Sequence, residues 1–128
     1  MEIKYRGWDA AKKRMYSAEE MGEDQLTICP DGRGFVNVHG SNTKLSRYYP
    51  HIIPLQFTGF KDPDNVEIYG GDILDGDYPD EVFFDDARGQ WMLRNLQNPN
   101  DTLWEILREN NSKIIGNIYK NPELLEGR

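Results

Sequence analysis

The sequence predicts a small, mainly β protein built around a roll or barrel of short antiparallel strands. Short runs with alternating or β-branched residues recur along the chain, and turn-forming residues separate them about every ten positions. Only the stretch TLWEILREN has the apolar spacing of a helix. We therefore expect many short strands and one short helix.

The first half of the chain contains two predicted strand pairs. EIKYRGWD alternates in polarity like a half-buried strand, and RMYS is predicted to return beside it after a polar turn. QLTIC and GFVNVHG flank PDGRG, whose Pro, Asp and Gly residues favour a hairpin turn. The stretch that follows, SNTKLSRYYPH, is predicted to be a loop.

The second half begins with IIPLQF, in which Pro54 favours a strand edge or a strand start. In TLWEILREN, Leu103, Ile106 and Leu107 share one face, and Asp101 or Thr102 is the predicted N-cap. NPELL is predicted as a final helical turn. The remaining predicted strands are DILD, EVFFDD, QWMLR and SKIIGNIY.

The stretch QFTGFKDPDNVEIYGGDIL places glycines where a closing sheet has to bend sharply. Gly59 is predicted to end one strand, and Lys61–Val66 to form the turn after it. Gly70 and Gly71 are predicted to let the chain bend into the barrel. We expect the Asp72 carboxylate to accept backbone N–H groups at that bend.

The length of 128 residues indicates one domain, or one domain with a small appendage. Cys29 is the only cysteine, which excludes an intrachain disulfide bond. We expect no signal peptide, because the N-terminus lacks an apolar run, and no membrane span, because no long apolar stretch occurs. A cytoplasmic protein is the resulting expectation.

The charge of the chain is distributed unevenly. The net charge is −7, yet residues 62–86 contain ten acidic residues and no basic one. The first fifty residues are nearly balanced, with eight Lys or Arg and seven Asp or Glu. An acidic segment of this kind is a candidate interaction surface.

Catalytic and metal-binding patterns are missing from the sequence. Two histidines and one cysteine, dispersed along the chain, do not match a zinc site. DPDNVE begins like a calcium loop, but Glu67 stands where that loop requires glycine, so a solvated acidic turn is the better interpretation. YGGD has neither the spacing nor the following helix of a phosphate loop. We expect a protein without cofactor or metal, and not an enzyme.

The large apolar residues are predicted to form the core rather than a ligand surface. Aromatic residues make up 12% of the chain, and each buries a large area. The residues that we expect to be mostly buried are Trp8, Trp91, Trp104, Phe57, Phe83 and Ile115.

Three segments, in order, resemble the YopX family of phage and prophage proteins. They are EIKYRGWD, QFTGFKDPDNVEIYGGDI and IIGNIYKNPELL, which together span almost the whole chain. Two departures occur: Asn65-Val66 stands near the family's Asn-Gly turn, and Gly70 replaces the usual glutamate. The resemblance implies an SH3-like barrel over residues 53–128, preceded by a smaller β-rich part over residues 1–52. It also implies a phage-encoded protein in a bacterial cytoplasm, and it supplies no catalytic residue.

Two main functions follow as hypotheses. The first is an interaction module that binds a host or phage protein through its barrel surface or its exposed strand edges. The second is an acidic decoy that imitates DNA and occupies a host nucleic-acid-binding protein. Its candidate interaction residues are Asp75, Asp77, Asp80 and Glu81.

A third hypothesis is direct nucleic-acid binding by the N-terminal hairpin. Its basic residues alternate with aromatic ones, as in many nucleic-acid surfaces. The overall acidity opposes it, because phosphates would be repelled, so nucleic acid is not the expected partner. The residues concerned are Lys4, Arg6, Lys12, Lys13 and Arg14, with Tyr5, Trp8 and Tyr16 between them.

Overall fold

The computed structural model describes residues 2–37, 47–76, 78–95, 97 and 101–125. Within these ranges the chain is mainly β, as predicted, with curled antiparallel sheets and short helices in a barrel-like fold. The strands are β1 (Tyr5–Asp9), β2 (Arg14–Tyr16), β3 (Leu26–Ile28), β4 (Phe35–Asn37), β5 (Arg47–Tyr49), β6 (Ile52–Lys61), β7 (Glu67–Tyr69), β8 (Asp72–Leu74), β9 (Asp80–Asp85), β10 (Gln90–Arg94), β11 (Asp101–Thr102) and β12 (Ile114–Asn117). The helices are α1 (Ala18–Glu23), α2 (Leu103–Glu109) and a 3₁₀ turn at Pro122–Leu125.

The described strands form three antiparallel sheets. One sheet has the order β2-β1-β6-β7, a second has the order β11-β10-β9-β8-β12, and a third has the order β3-β4-β5. The chain divides into two compact units. The N-terminal unit is Ile3–Gln56, and the C-terminal unit is Phe57–Arg128 together with Met1–Glu2. The predicted division between residues 52 and 53 falls inside β6.

The N-terminal unit confirms both predicted hairpins. β1 pairs with β2, and β3 pairs with β4 across the PDGRG turn. Pro54 lies in β6 opposite Gly7 of β1, and β7 pairs with β6 only from Phe57 onward. Pro54 therefore sits where β6 is paired on one side, as a residue without an N–H group requires.

Two elements of this unit differ from the prediction. The stretch predicted as a loop contains β5, which pairs with β4. The helix α1 is an addition to the predicted elements, although Ser17 and Glu20 stand three residues apart as in a capping box. Ser17 Oγ accepts the Glu20 N–H at 3.1 Å, and Glu20 Oε1 accepts the Ser17 N–H at 3.2 Å. The helix places Met21 in a core with Phe35 and Ile52.

The C-terminal unit is closed by α2, which begins at its predicted cap. Thr102 Oγ1 accepts the Glu105 N–H, and of the two predicted caps it is therefore Thr102 that serves. The helix turns Leu103 inward, with Ile106 and Leu107 packed beside it, as the spacing predicts. One cluster of fully buried core residues consists of Ile68, Leu74, Val82, Leu93 and Leu103.

Two of the six predicted core residues are wrong. Trp104 is 53% exposed and Ile115 is 42% exposed. Trp104 lies on α2 next to Leu103, so the face that buries Leu103 turns the indole outward. Ile115 lies in β12 at a register irregularity between Ile114 and Gly116. Trp8 and Phe57 are buried as predicted, whereas Trp91 and Phe83 are half-buried.

Candidate functional site

The glycine-rich stretch serves the fold. Gly59 lies within β6, not at its end, so the predicted strand end is wrong. It has φ +89° at an irregularity in the β6–β7 pairing, where β6 has more residues than β7. There Thr58 Oγ1 donates to the Ile68 carbonyl at 2.8 Å and accepts the Phe60 N–H at 3.1 Å.

The bend between β7 and β8 is formed by Gly70 and Gly71, as predicted. Gly71 has φ +89°, and a Cβ atom there would lie 3.4 Å from the Asn117 and Tyr119 side chains. The Asp72 carboxylate accepts the Tyr69 N–H at 2.8 Å and the Asn117 Nδ2–H at 3.2 Å. The expectation that Asp72 accepts a backbone N–H at the bend is confirmed.

The turn after β6 is held by a buried carboxylate. Asp62 is 7% exposed, and its Oδ1 accepts the N–H groups of Asp64 and Val66, each at 2.9 Å. Its Oδ2 accepts the Ile114 N–H at 3.2 Å. Asn65 has φ +65°, a conformation that asparagine tolerates. The predicted solvated acidic turn is thus wrong at Asp62, which ties the turn to β12.

The four acidic candidates for interaction have separate environments. The Asp75 carboxylate accepts the Lys113 N–H at 2.7 Å, and Asp80 is buried and accepts the Asn95 Nδ2–H at 2.6 Å. Glu81 forms a two-point ion pair with Arg94, at 2.9 and 3.3 Å. Asp77 lies outside the described residues.

Most described carboxylates of the acidic segment (residues 62–86) therefore contact other groups of the same chain. Three of its acids, Asp62, Asp72 and Asp80, are buried. Two others form surface ion pairs, Asp64 with Lys113 and Asp85 with Arg88. Carboxylates that accept backbone hydrogen bonds lose part of their capacity to bind a basic partner. Most of the described acids of this segment are thus already buried or paired, which leaves few open carboxylates for a surface that imitates DNA.

An aromatic pair with one exposed ring lies at the end of the β9–β10 hairpin. Phe84 and Trp91 face each other across the two strands, with ring centroids 5.2 Å apart in an edge-to-face arrangement. Trp91 packs against the core, whereas Phe84 is 45% exposed. Sequence reasoning does not single out Phe84, because it shares a face with buried Val82. Its position next to the hairpin turn is the available signal.

A second exposed aromatic residue lies on α2. The Arg108 guanidinium lies 4.5 Å from the ring centroid of Trp104. This contact holds both side chains on the solvent side of the helix, since both are exposed. Tryptophan and arginine are the residue types most often found as anchors in protein interfaces.

The N-terminal basic hairpin is less suited to nucleic acid than its sequence suggests. Trp8 is 7% exposed and cannot offer its ring for base stacking. Arg14 forms an ion pair with Glu20 and lies over the Tyr16 ring at 4.4 Å. Asp9 is buried between backbone donors, and its Oδ2 lies 3.7 Å from His51 Nε2.

The carboxylate of Glu20 is stabilised in its ionised form. Its pKa is lowered, first because the Ser17 N–H donates to it and then because Arg14 pairs with it. Cys29 is half-buried, and His39 lies outside the described residues. Within the described ranges, no three His, Cys, Asp or Glu side chains cluster as a metal site requires. No helix there is long and apolar enough to cross a membrane.

The whole chain resembles a solved structure and matches one family model. The crystal structure of protein EF1440 from Enterococcus faecalis superposes with a TM-score of 0.67 at 25% sequence identity, covering 98% of this chain and 99% of that one. A search of curated proteins finds no match. The family model described as YopX protein matches residues 4–126. This agrees with the three sequence segments, and the chain belongs to the YopX family.

Proposed function

We propose that the protein is a phage-encoded interaction module, not an enzyme, that binds a host or phage protein in the bacterial cytoplasm. Membership of the YopX family supports the phage origin. The observation that carries the binding role is the aromatic pair Phe84 and Trp91. The Phe84 ring is 45% exposed and is held in place by Trp91, so a partner can use it as an interface anchor.

The geometry of this pair suits binding because one ring is fixed and the other is accessible. Trp91 is fixed by its contact with the core, and the edge-to-face contact orients Phe84. A preordered ring loses little conformational entropy when a partner covers it. The Arg88–Asp85 ion pair lies at the same hairpin end and would form part of a polar rim.

The buried acids support a binding role over a catalytic one. Asp62 and Asp72 each accept hydrogen bonds that hold the backbone, and Asp80 accepts one from Asn95. These contacts give the three carboxylates a stabilising role in the fold. A general acid or base needs instead a carboxyl group placed to exchange a proton with a substrate.

The test is affinity capture from a bacterial lysate with immobilised wild-type protein and two variants. Phe84→Ser removes the exposed ring, and Val66→Ser is the matched control, because Val66 is also apolar and is 51% exposed. We expect a retained partner whose affinity falls about thirtyfold with Phe84→Ser and stays unchanged with Val66→Ser. Circular dichroism confirms that both variants are folded. Equal retention by Phe84→Ser and the wild type contradicts the proposal.

The decoy hypothesis gives the opposite pattern in the same experiment. Asp64 and Asp86 are exposed, so Asp64→Asn with Asp86→Asn lowers the negative charge without touching the buried acids. A decoy would lose its partner with this double variant and between low and moderate salt. The interaction module that we propose retains its partner under both conditions, because apolar contacts are not screened.

A further inference from the structure

An open cleft of about 470 Å³ lies in the N-terminal unit, at the end of α1. Tyr16 and Tyr49 contribute aromatic walls, Glu23 and Asp24 contribute carboxylates, and Asn37 contributes a side-chain amide. The volume is within the range of clefts that bind small groups, about 300–1,000 Å³. The described lining contains two acidic residues and no basic one.

Local structure explains how these residues come together. The helix α1 ends at Glu23, and Gln25 has φ +57°, which turns the chain back into β3. In the β3–β4 pair, Asn37 lies opposite Leu26. Its Nδ2 donates to the Asp24 carbonyl at 2.6 Å. This hydrogen bond fixes which end of the Asn37 amide is the oxygen.

The oxygen end of that amide has no partner among the described residues. Asn37 is 8% exposed, and no donor from those residues reaches its buried Oδ1. An unpaired buried acceptor costs about 1–3 kcal/mol, so native proteins rarely keep one without a use. Neither Glu23 nor Asp24 forms a side-chain ion pair with another described residue. The cleft thus has two carboxylates outside any such ion pair, and one of its lining residues, Asn37, has a buried side-chain oxygen without a donor from the described residues.

We propose that this cleft binds the guanidinium group of an arginine side chain presented by a partner polypeptide. A guanidinium is planar and carries five N–H donors, so it can donate to a lining carboxylate and, once the amide turns its buried oxygen toward the cleft, to Asn37 Oδ1 as well. It also stacks on aromatic rings. Arg14 already stacks in this way on the Tyr16 ring, at 4.4 Å from its centroid, so Tyr49 is the lining ring for the partner's arginine.

This inference extends the proposed function, because the arginine would belong to the bound partner, but the cleft is separate from Phe84. The test is a titration of ¹⁵N-labelled protein with acetyl-Gly-Arg-Gly-amide, followed by the Asn37 side-chain NH₂ resonances. The matched peptide with citrulline has the same shape without the charge. We expect the arginine peptide to shift the Asn37 resonances and to bind about tenfold more tightly than the citrulline peptide.

Variants locate the site. Glu23→Gln removes a lining carboxylate and should weaken the arginine peptide about threefold. Glu19→Gln, on the same helix but outside the cleft, should have no effect. Equal binding of the arginine and citrulline peptides, or equal effects of the two variants, overturns the proposal. So does tighter binding of free agmatine than of the peptide, since the occupant would then be a small molecule.

The two proposals fail independently. Phe84→Ser should leave the peptide titration unchanged, because Phe84 lies in the C-terminal unit. A partner lost with Phe84→Ser while the arginine peptide does not bind retains the interaction module and rejects the arginine site. An arginine peptide that binds while Phe84→Ser loses no partner retains the site and rejects the aromatic anchor.

Discussion

The two units treat their buried polar groups differently. In the C-terminal unit, the buried carboxylates of Asp62 and Asp72 accept N–H groups from neighbouring strands and turns. In the N-terminal unit, Asp9 is satisfied in the same way, but Asn37 keeps an oxygen without a donor from the described residues. A buried polar group with partners holds a fold together, whereas one without a partner needs an explanation, and for Asn37 the explanation that we propose is a ligand.

The same comparison between the two units changes how the acidic segment, residues 62–86, is interpreted. Its charge density suggests a surface for a basic partner, yet most of its described carboxylates accept hydrogen bonds or form ion pairs within the C-terminal unit. An open cleft is bordered instead by two acids at the C-terminal end of α1, Glu23 and Asp24, which lie outside the acidic segment. Charge counted along a sequence therefore does not show which carboxylates remain available for binding.

The largest effect is expected where the C-terminal unit bends. Gly71→Val should lower the free energy of unfolding by about 3 kcal/mol, because valine is strained at φ +89° and its methyl groups would displace Asn117 and Tyr119. Gly89→Val is the control, since Gly89 has φ +65° and no other atom lies within 4 Å of the position that a Cβ would take. Urea denaturation should give a loss of about 1 kcal/mol for the control. Equal losses would show that crowding at Gly71 contributes nothing.

A smaller effect tests the structural role of the acids. Asp62→Ala should destabilise the protein by about 2 kcal/mol, because it leaves N–H groups of Asp64, Val66 and Ile114 without their acceptor. Asp64→Ala removes a nearby exposed carboxylate and should cost about 0.5 kcal/mol or less. Thermal or urea denaturation of both variants measures the difference. Similar stabilities of the two variants would show that Asp62 contributes no more to folding than an exposed carboxylate does.

The smallest effect concerns the helix that borders the cleft. Glu20→Gln should reduce stability slightly at neutral pH, because the lowered pKa of Glu20 shows that its ionised form is favoured in the folded state. A lowered pKa contributes stability above the unfolded value of about 4.3, and this contribution is lost as the pH falls through the folded value.

The wild type and Glu20→Gln should therefore differ in denaturation midpoint at pH 7 and converge in acid. Glu19→Gln, which changes an exposed acid in the same turn, is the control for loss of charge. A difference that persists at low pH would show that the ionised carboxylate is not what stabilises the helix start.

Local patterns predict local structure well in this chain. The PDGRG hairpin, the Asp72 acceptor and the Thr102 cap each depend on residues within a few positions of one another. The capping box of Ser17 and Glu20 is equally local and can be read from the sequence. The strand β5 is harder to predict, because it is defined by its pairing with β4, which precedes the stretch that reads as a loop.

Features that depend on distant contacts cannot be predicted in this way. The bond from Asn37 to the Asp24 carbonyl joins two elements, and only that bond reveals which end of the amide is left unpaired. The exposure of Trp104, in contrast, follows from the predicted face of α2, because Leu103, Ile106 and Leu107 meet the core and Trp104 lies beside that face. The sequence pattern predicts a solvated Asp62, because it cannot reveal the hydrogen bond from Ile114, which lies 52 positions further along the chain.

The lengths of the edge strands have a consequence for self-association. The strands at the edges of the three described sheets have two to four residues each, and the longest of them, β12, has irregular pairing. Unpaired edges can recruit another chain as an added strand, but such short edges offer few backbone hydrogen bonds. The ten-residue strand β6 pairs with β1 over residues 52–56 and with β7 from Phe57 onward, so each half has a partner strand on one side, and Pro54 lies in the half that pairs with β1. Among the described strands, such short edges disfavour edge-to-edge aggregation, and a partner of the kind proposed above would recognise side chains instead of extending a sheet.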